Sequence, residues 1–291
     1  MSANSVSTTS LTRLAGMKEH GEPIVMVTAY DFPGAVAAER AGVDMVLVGD
    51  SAAQVVLGYD STVRVSVDEM LMLAAAVRRG TKSAFLVCDL PFGSTEVSDA
   101  QAVETAVRFV REAGADAVKL EGGSPERLSR IRAIVGAGIP VVGHVGLTPQ
   151  TATILGGLRA QGRTIESAKR LVAEALAVQQ AGACALVIEA VPSDVVGAVL
   201  PRISIPVIGI GAGPADGQVL VMHDLLGITE GRAPVFVKRF ASLGEAVVAG
   251  IAAYAQEVRT GVFPAREHQY PDHPEAVQAA LEAAQEPGRE A

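Results

Sequence analysis

Charge is scarce in this sequence of 291 residues and leans acidic. Charged residues make up 19%, and 24 Lys plus Arg face 32 Asp plus Glu, a formal net charge of −8. Soluble domains carry about 25% charged residues, so the deficit points to surface hidden in subunit contacts. Without a basic excess there is no Lys/Arg-rich face for nucleic-acid phosphates. Only two cysteines occur, Cys88 and Cys184, each in an apolar run and far apart. Buried free thiols are expected rather than a disulfide. The Ser/Thr-rich N-terminus lacks the apolar core of a signal peptide. Residues 133–158 lack Asp, Glu, Lys and Arg, but Pro140, Pro149 and six glycines interrupt them, unlike a membrane-spanning helix. A soluble intracellular protein is expected.

What is present is a regular alternation. Short β-branched runs lie at 23–29, 44–50, 83–90, 116–122, 140–146, 184–190 and 206–213, with a weaker eighth, APVFVKRF, at 233–240. Helical patterns separate them. Ser66 and Glu69 form an S-x-x-E capping box, Ser98 and Gln101 an S-x-x-Q start, and Ser124-Pro125 a third helix start. Two further helices are expected over 164–182 and 243–261. AGVDMVLVGD, AGADAVKLEG and AGACALVIEA form a weak repeat, each joining a helix end to a strand that ends near an acid. Nearly continuous apolar strands alternating with amphipathic helices mean a parallel sheet covered by helices. Seven or eight such units fit a closed (β/α)8 TIM barrel better than an open doubly wound sheet. The expected organisation is an N-terminal segment 1–22, a single barrel domain 23–262, and a C-terminal extension 263–291. That extension reads as partly flexible, with a short helix near 274–285.

In a parallel barrel, chemistry gathers where strands end. Asp50 ends the second strand, Asp89 the third, Lys119 and Glu121 the fourth; His144 lies on the fifth and Glu189 ends the sixth. By alternation Asp50 shares a face with Val46 and Val48, and Asp89 with Phe85 and Val87. If those faces point inward, four carboxylates, one ammonium and one imidazole meet at one mouth. Each also has a plainer reading: Asp50 or Asp89 as a helix N-cap, Lys119 with Glu121 as a structural pair, His144 as a core histidine. Convergence favours function. Burying several unpaired carboxylates costs several kcal/mol each, and one Lys cannot offset them. A divalent ion can, and oxygen ligands without a Cys/His cluster favour Mg²⁺. GIGAG (209–213) is no dinucleotide fingerprint, because Pro214 breaks the spacing. It reads as a tight turn or a phosphate site. Cys88 alternates away from Asp89 and reads as packing.

Taken together, TAYD (28–31), LVGDS (47–51), GYDST (58–62), CDLPF (88–92), VKLEGG (118–123), GHVGLTPQ (143–150), IEAVP (188–192), VIGIGAG (207–213) and DGQVLVMHDLLG (216–227) resemble the ketopantoate hydroxymethyltransferase family, in order and over residues 11–270. The resemblance implies a cytoplasmic (β/α)8 barrel of the phosphoenolpyruvate/pyruvate-like type, assembled as a homo-oligomer, a decamer. It implies transfer of a hydroxymethyl group from 5,10-methylenetetrahydrofolate to 3-methyl-2-oxobutanoate, giving 2-dehydropantoate for pantothenate and coenzyme A. By motif, Asp50 and Asp89 resemble the Mg²⁺ ligands and Glu121 the third acid of the metal site. Asp50, Ser51, Asp89 and Lys119 resemble the substrate-binding groups, Glu189 the general base, and His144 a neighbour of the substrate. Tyr59, Arg159, Ala160 and Val235 depart from the residues common in the family. The alternative is a Mg²⁺-dependent lyase or mutase of the phosphoenolpyruvate/isocitrate lyase group, whose Lys/Arg-rich loop with Cys and His is not found here.

Overall fold

The computed structural model describes residues 8–231 and 233–285. The chain divides into two compact units, one running to Ala241 and the other from Ser242. This division falls ahead of helix 243–260, whereas the sequence reading drew its boundary at 262.

In the first unit, α1 (Leu11–His20) leads into β1 (Ile24–Thr28), α2 (Phe32–Ala41), β2 (Met45–Val48) and the one-turn α3 (Ala52–Val55). Then follow α4 (Val67–Gly80), β3 (Phe85–Asp89), α5 (Asp99–Ala113), β4 (Ala117–Glu121), α6 (Pro125–Gly136) and β5 (Val141–Gly146). The unit continues through α7 (Ile165–Gln180), β6 (Ala185–Glu189), α8 (Ser193–Val199), β7 (Val207–Ile210), β8 (Gly217–Leu220) and α9 (Met222–Leu225). The eight strands close in sequence order into a parallel barrel, β8 pairing with β1. The second unit holds α10 (Leu243–Thr260) and α11 (Pro274–Gln285). The reading of the final stretch as flexible concerns 286–291, which lie outside the described residues.

Local signals set the helix ends. Ser66 and Glu69 make the reciprocal capping box that starts α4, satisfying two otherwise orphaned donors. Ser98 caps α5 by accepting from Gln101 N, but Gln101 accepts from Val97 N rather than returning a bond to Ser98. Pro125 occupies the first turn of α6, where its missing N–H costs nothing.

Both strand faces are apolar because both are buried. Met45, Leu47, Phe85, Val87, Val142, Val187 and Ile208 fill the interior. Val46, Val48, Leu86, Cys88, Leu120 and Ile188 pack outward against the helices. The N-terminal segment is part of this design: Leu14 and Met17 of α1 join the interior cluster, and the Lys18 ammonium lies 2.5 Å from Asp216. The interior is therefore closed at the strands' starting ends, leaving chemistry to the opposite end.

The eighth strand is GQVL at 217–220, not APVFVKRF at 233–240, where Val235 is 96% exposed and no strand forms. The earlier segment is short and begins with glycine, so its own strand signal is weak. It becomes a strand because β1 and β7 each offer it an open edge, pairing Ile24 and Ile208 with Gly217. Residues 211–216 connect β7 to β8 without a helix, a return that strands of four residues make short enough. GIGAG is thus a turn: Gly211 has φ +60°, and a Cβ there would meet the Phe236 ring at 2.5 Å.

Both cysteines are free. Burial pushes the Cys88 thiol up, and that of Cys184 to about 11. With thiolate so disfavoured, titration of the native protein with a chromogenic disulfide at pH 8 should find no fast-reacting thiol, and two after denaturation. Rapid labelling of either in the native state would contradict this packing.

Candidate active site

Strand register sets the site. Asp89 lies beside Lys119, Glu121 beside His144, and Gly146 beside Glu189. Neighbouring strands are about 4.8 Å apart, so inward side chains at these positions meet. Asp89, Lys119, Glu121, His144 and Glu189 each share a face with interior residues, as alternation predicts. Asp50 does not: Val46 and Val48, its partners by alternation, pack against the helices. It reaches the site because β2 ends at Val48 and the chain turns through Gly49, where a Cβ would lie 2.8 Å from Ser51 Oγ.

The N-cap readings fall away here. Ser98, not Asp89, caps α5, while Ser51 is the cap residue before α3 and makes no side-chain cap bond. Instead Asp89 Oδ2 accepts from Asp50 N at 3.0 Å. The Lys119 ammonium lies 3.1 Å from Asp89 Oδ1, 3.1 Å from His144 Nδ1 and 3.9 Å from Glu121 Oε1. His144 spans two acids, with Nδ1 3.3 Å from Glu121 Oε1 and Nε2 3.2 Å from Glu189 Oε2. Ser51 Oγ and Tyr30 Oη are 2.8 Å apart.

Asp50, Asp89, Lys119, Glu121 and His144 are all at most 5% exposed. Burial first, then Asp89 and Glu121, push the Asp50 carboxyl well above the usual carboxylate range. Burial likewise raises Asp89, against the opposing pull of Lys119. Glu121 differs: burial opposes its charge, yet His144 and Lys119 hold it below the ordinary value. For His144, burial and Lys119 disfavour the cation, but Glu121 and Glu189 prevail and push it up to about 9. Lys119 is raised as well: burial opposes its charge, and the three acids overcome it. Positive charge thus serves Glu121, while Asp50 and Asp89 lack enough of it. Asp89 Oδ1 and His144 Nε2 are buried with no hydrogen-bond partner among the described residues, since neither close neighbour has hydrogen-bond geometry.

That imbalance fits a cation. No group of three or more His, Cys, Asp or Glu side chains among the described residues forms a ready metal cage. Mg²⁺ does not need one, since it typically takes one or two carboxylates and completes its octahedron with water and substrate oxygens.

Two buried residues lay within the motifs TAYD and GHVGLTPQ but carried no role of their own. Gln150, on the turn Pro149–Thr151 after β5, bonds to groups on three other strand ends. Tyr30, just past β1, is 2% exposed and meets Ser51. Only the fold brings either to the acids.

Gly146 lets the β5 turn approach β6. Its φ is +95°, and a Cβ would lie 2.3 Å from Glu189 O; the next residue donates from Leu147 N to that same oxygen at 2.9 Å. Gly146→Ala should therefore lower stability by about 2–4 kcal/mol, measured by denaturant unfolding. Unchanged stability would contradict the close approach.

Known proteins resemble this chain. A family model described as ketopantoate hydroxymethyltransferase matches residues 8–266. The 3-methyl-2-oxobutanoate hydroxymethyltransferase of Moorella thermoacetica is 52% identical over 265 residues, covering 91% of this chain and 98% of its own. Among solved structures, a phosphoenolpyruvate phosphomutase from Streptomyces platensis aligns with TM-score 0.60 at 17% identity, over 95% of this chain and 97% of that one. A phosphonopyruvate hydrolase solved in complex with oxalate and Mg²⁺ aligns with TM-score 0.60 at 16% identity, over 96% and 97%. The two structural likenesses concern the barrel alone. On this sequence match the chain belongs to the ketopantoate hydroxymethyltransferase family.

Proposed function

We propose that the protein transfers a one-carbon unit from 5,10-methylenetetrahydrofolate to 3-methyl-2-oxobutanoate, consuming water and yielding 2-dehydropantoate and tetrahydrofolate. The observation that carries this reading is the buried pair Asp50 and Asp89, each raised, with Asp50 Oδ1 accepting no hydrogen bond from a described residue and Asp89 Oδ1 met only by the Lys119 ammonium at 3.1 Å. Asp50 and Asp89 are the residues that would hold Mg²⁺, with Glu121 as the third acid of the site. When bound, Mg²⁺ supplies Lewis-acid stabilisation for the negative charge that develops as the keto acid loses its C3 proton. That an oxalate and Mg²⁺ complex exists on the same barrel supports this choice of ion.

The chain's own residues do the rest. Glu189 is the base that takes the proton from C3. Its side chain is 15% exposed, against 3% for Asp89 and Glu121, so substrate can reach it. His144, 3.2 Å from Oε2, keeps that carboxylate turned toward the mouth. The electron pair left at C3 forms a bond to the methylene carbon of the folate as one of that carbon's two C–N bonds breaks, the freed nitrogen taking up the proton that Glu189 removed. Water then adds its hydroxyl to the carbon as the second C–N bond breaks, its proton going to that nitrogen and leaving tetrahydrofolate. Lys119 and the Ser51 hydroxyl, the latter set by Tyr30, bind the carboxylate end of the keto acid. No described helix is long and apolar enough to cross a membrane; the proposed setting is the cytoplasm. The proposed assembly is a homo-oligomer, a decamer, and α10 offers apolar surface for it in exposed Val247, Val248, Ile251 and Tyr254.

Proton NMR of the protein with 3-methyl-2-oxobutanoate, 5,10-methylenetetrahydrofolate and Mg²⁺ should show 2-dehydropantoate accumulating. No product there, with cleavage of isocitrate-like acids by the same preparation, would replace this reading with the lyase alternative.

A further inference from the structure

Gln150 is buried, and neither its charge nor its nucleophilicity suits it to the chemistry above. Its bonds are specific nonetheless. The side-chain Nε2 donates to Asp50 Oδ2 at 2.9 Å and to Leu90 O at 3.0 Å, and the backbone N donates to Glu121 Oε2 at 3.0 Å. Two acceptors flank the amide, so its nitrogen must face them. One residue of the β5 turn thus ties together the ends of β2, β3 and β4. The turn is held independently: Thr151 N donates to Thr148 O at 3.0 Å, and the two threonine hydroxyls are 2.6 Å apart.

These bonds fix how the two carboxylates are turned. Gln150 donates to Oδ2 of Asp50, and Asp50 N donates to Oδ2 of Asp89. No described residue donates a hydrogen bond to either Oδ1; at Asp89 the Lys119 ammonium is 3.1 Å away but without hydrogen-bond geometry. An oxygen that accepts one hydrogen bond keeps a further lone pair, so neither Oδ2 is blocked. The bonds instead fix how each carboxylate is turned, and for Asp50 a two-oxygen grip on one ion would require the Gln150 bond to yield. Mg²⁺ takes six ligands at short, near-octahedral distances and accepts one oxygen from each carboxylate. Ca²⁺ is larger, takes six to eight, and commonly recruits both oxygens of a carboxylate. Resting on the reading of Asp50 and Asp89 as the ion's ligands, we propose that Gln150 is a positioning residue that confines Asp50 to one-oxygen ligation and so makes the site select Mg²⁺ over Ca²⁺.

The test is binding of metal alone to the full chain, with Mn²⁺ followed by electron paramagnetic resonance and displaced by Mg²⁺ or Ca²⁺. The wild type should bind Mn²⁺ and yield it to Mg²⁺ at lower concentration than to Ca²⁺. Gln150→Met and Gln150→Leu remove the side-chain donor but keep length or bulk, and the backbone bond to Glu121 remains. In both, the ratio of the Ca²⁺ to the Mg²⁺ dissociation constant should fall by about tenfold, within the range seen when outer groups around a metal are changed. Circular dichroism and the thermal midpoint establish that each variant is folded. An unchanged ratio in a folded variant that still binds Mn²⁺ would overturn the proposal, as would a wild type that binds Ca²⁺ as tightly as Mg²⁺, whatever the variants do. A wild type that binds no Mn²⁺, or Asp50→Asn and Asp89→Asn variants that bind it normally, would overturn the ligand assignment itself.

Discussion

Asp50→Asn should lower turnover by about a thousandfold or more and yet make the metal-free protein more stable. The two effects have one cause. Asp50 is buried, its carboxyl is pushed well above the ordinary range by burial and by Asp89 and Glu121, and a single Gln150 amide is its side-chain hydrogen bond. Ionising it at neutral pH costs the folded state free energy that a neutral isostere avoids, since Asn can still accept from Gln150. The gain should be about 1–2 kcal/mol, or a few degrees in the thermal midpoint for a chain of this size. Mg²⁺ at a hundred times its dissociation constant should stabilise the wild type by about 2.7 kcal/mol and this variant scarcely at all. Asp89→Asn should lose activity equally without the stability gain, because it also strips Lys119 of its 3.1 Å partner. Calorimetric scans with and without Mg²⁺ check both variants. A destabilised metal-free Asp50→Asn protein would mean that the carboxylate is satisfied by the protein alone.

Glu189→Gln should retain metal binding and lose proton transfer. A positioned general base contributes roughly a hundred- to ten-thousandfold, and the amide cannot accept the C3 proton. The loss should fall on kcat, because Gln fills the same volume and the carboxylate-binding groups, Lys119 and Ser51, are untouched. His144 should remain in place, since Glu121 still holds its Nδ1 from 3.3 Å. Deuterium incorporation at C3, followed by NMR in D2O, isolates this step from folate chemistry. Incorporation at the wild-type rate would remove Glu189 from the role of base.

The strand-ending acids were legible in the sequence because a parallel strand hides both faces, and a charge at its end then stands out against valine and isoleucine. Alternation grouped Asp89 with Phe85 and Val87, which are interior residues, and Lys119, Glu121, His144 and Glu189 likewise lie with the interior residues of their strands. It failed for Asp50, since β2 stops at Val48 and period-two reasoning has no force beyond the last pleat. The eighth strand was misplaced for a related reason. Apolar alternation in APVFVKRF mimicked a strand, whereas GQVL owes its extended form to edges supplied by β1 and β7. Gln150 and Tyr30 fell within motifs but showed no role, because a neutral polar side chain on a turn looks the same whether it faces water or three strand ends. The N-terminal segment was set apart from the barrel at residue 22, but Leu14 and Met17 are among the barrel's interior residues.

The most direct measurement is exchange of the C3 proton of 3-methyl-2-oxobutanoate for deuterium, with the wild-type protein and no folate, as Mg²⁺ is titrated from a chelated start. If the acids at the barrel mouth share their burial by holding an ion that activates the keto acid, exchange should be negligible in chelator and rise to saturation with Mg²⁺. Exchange that proceeds as fast in chelator as in Mg²⁺ would contradict it.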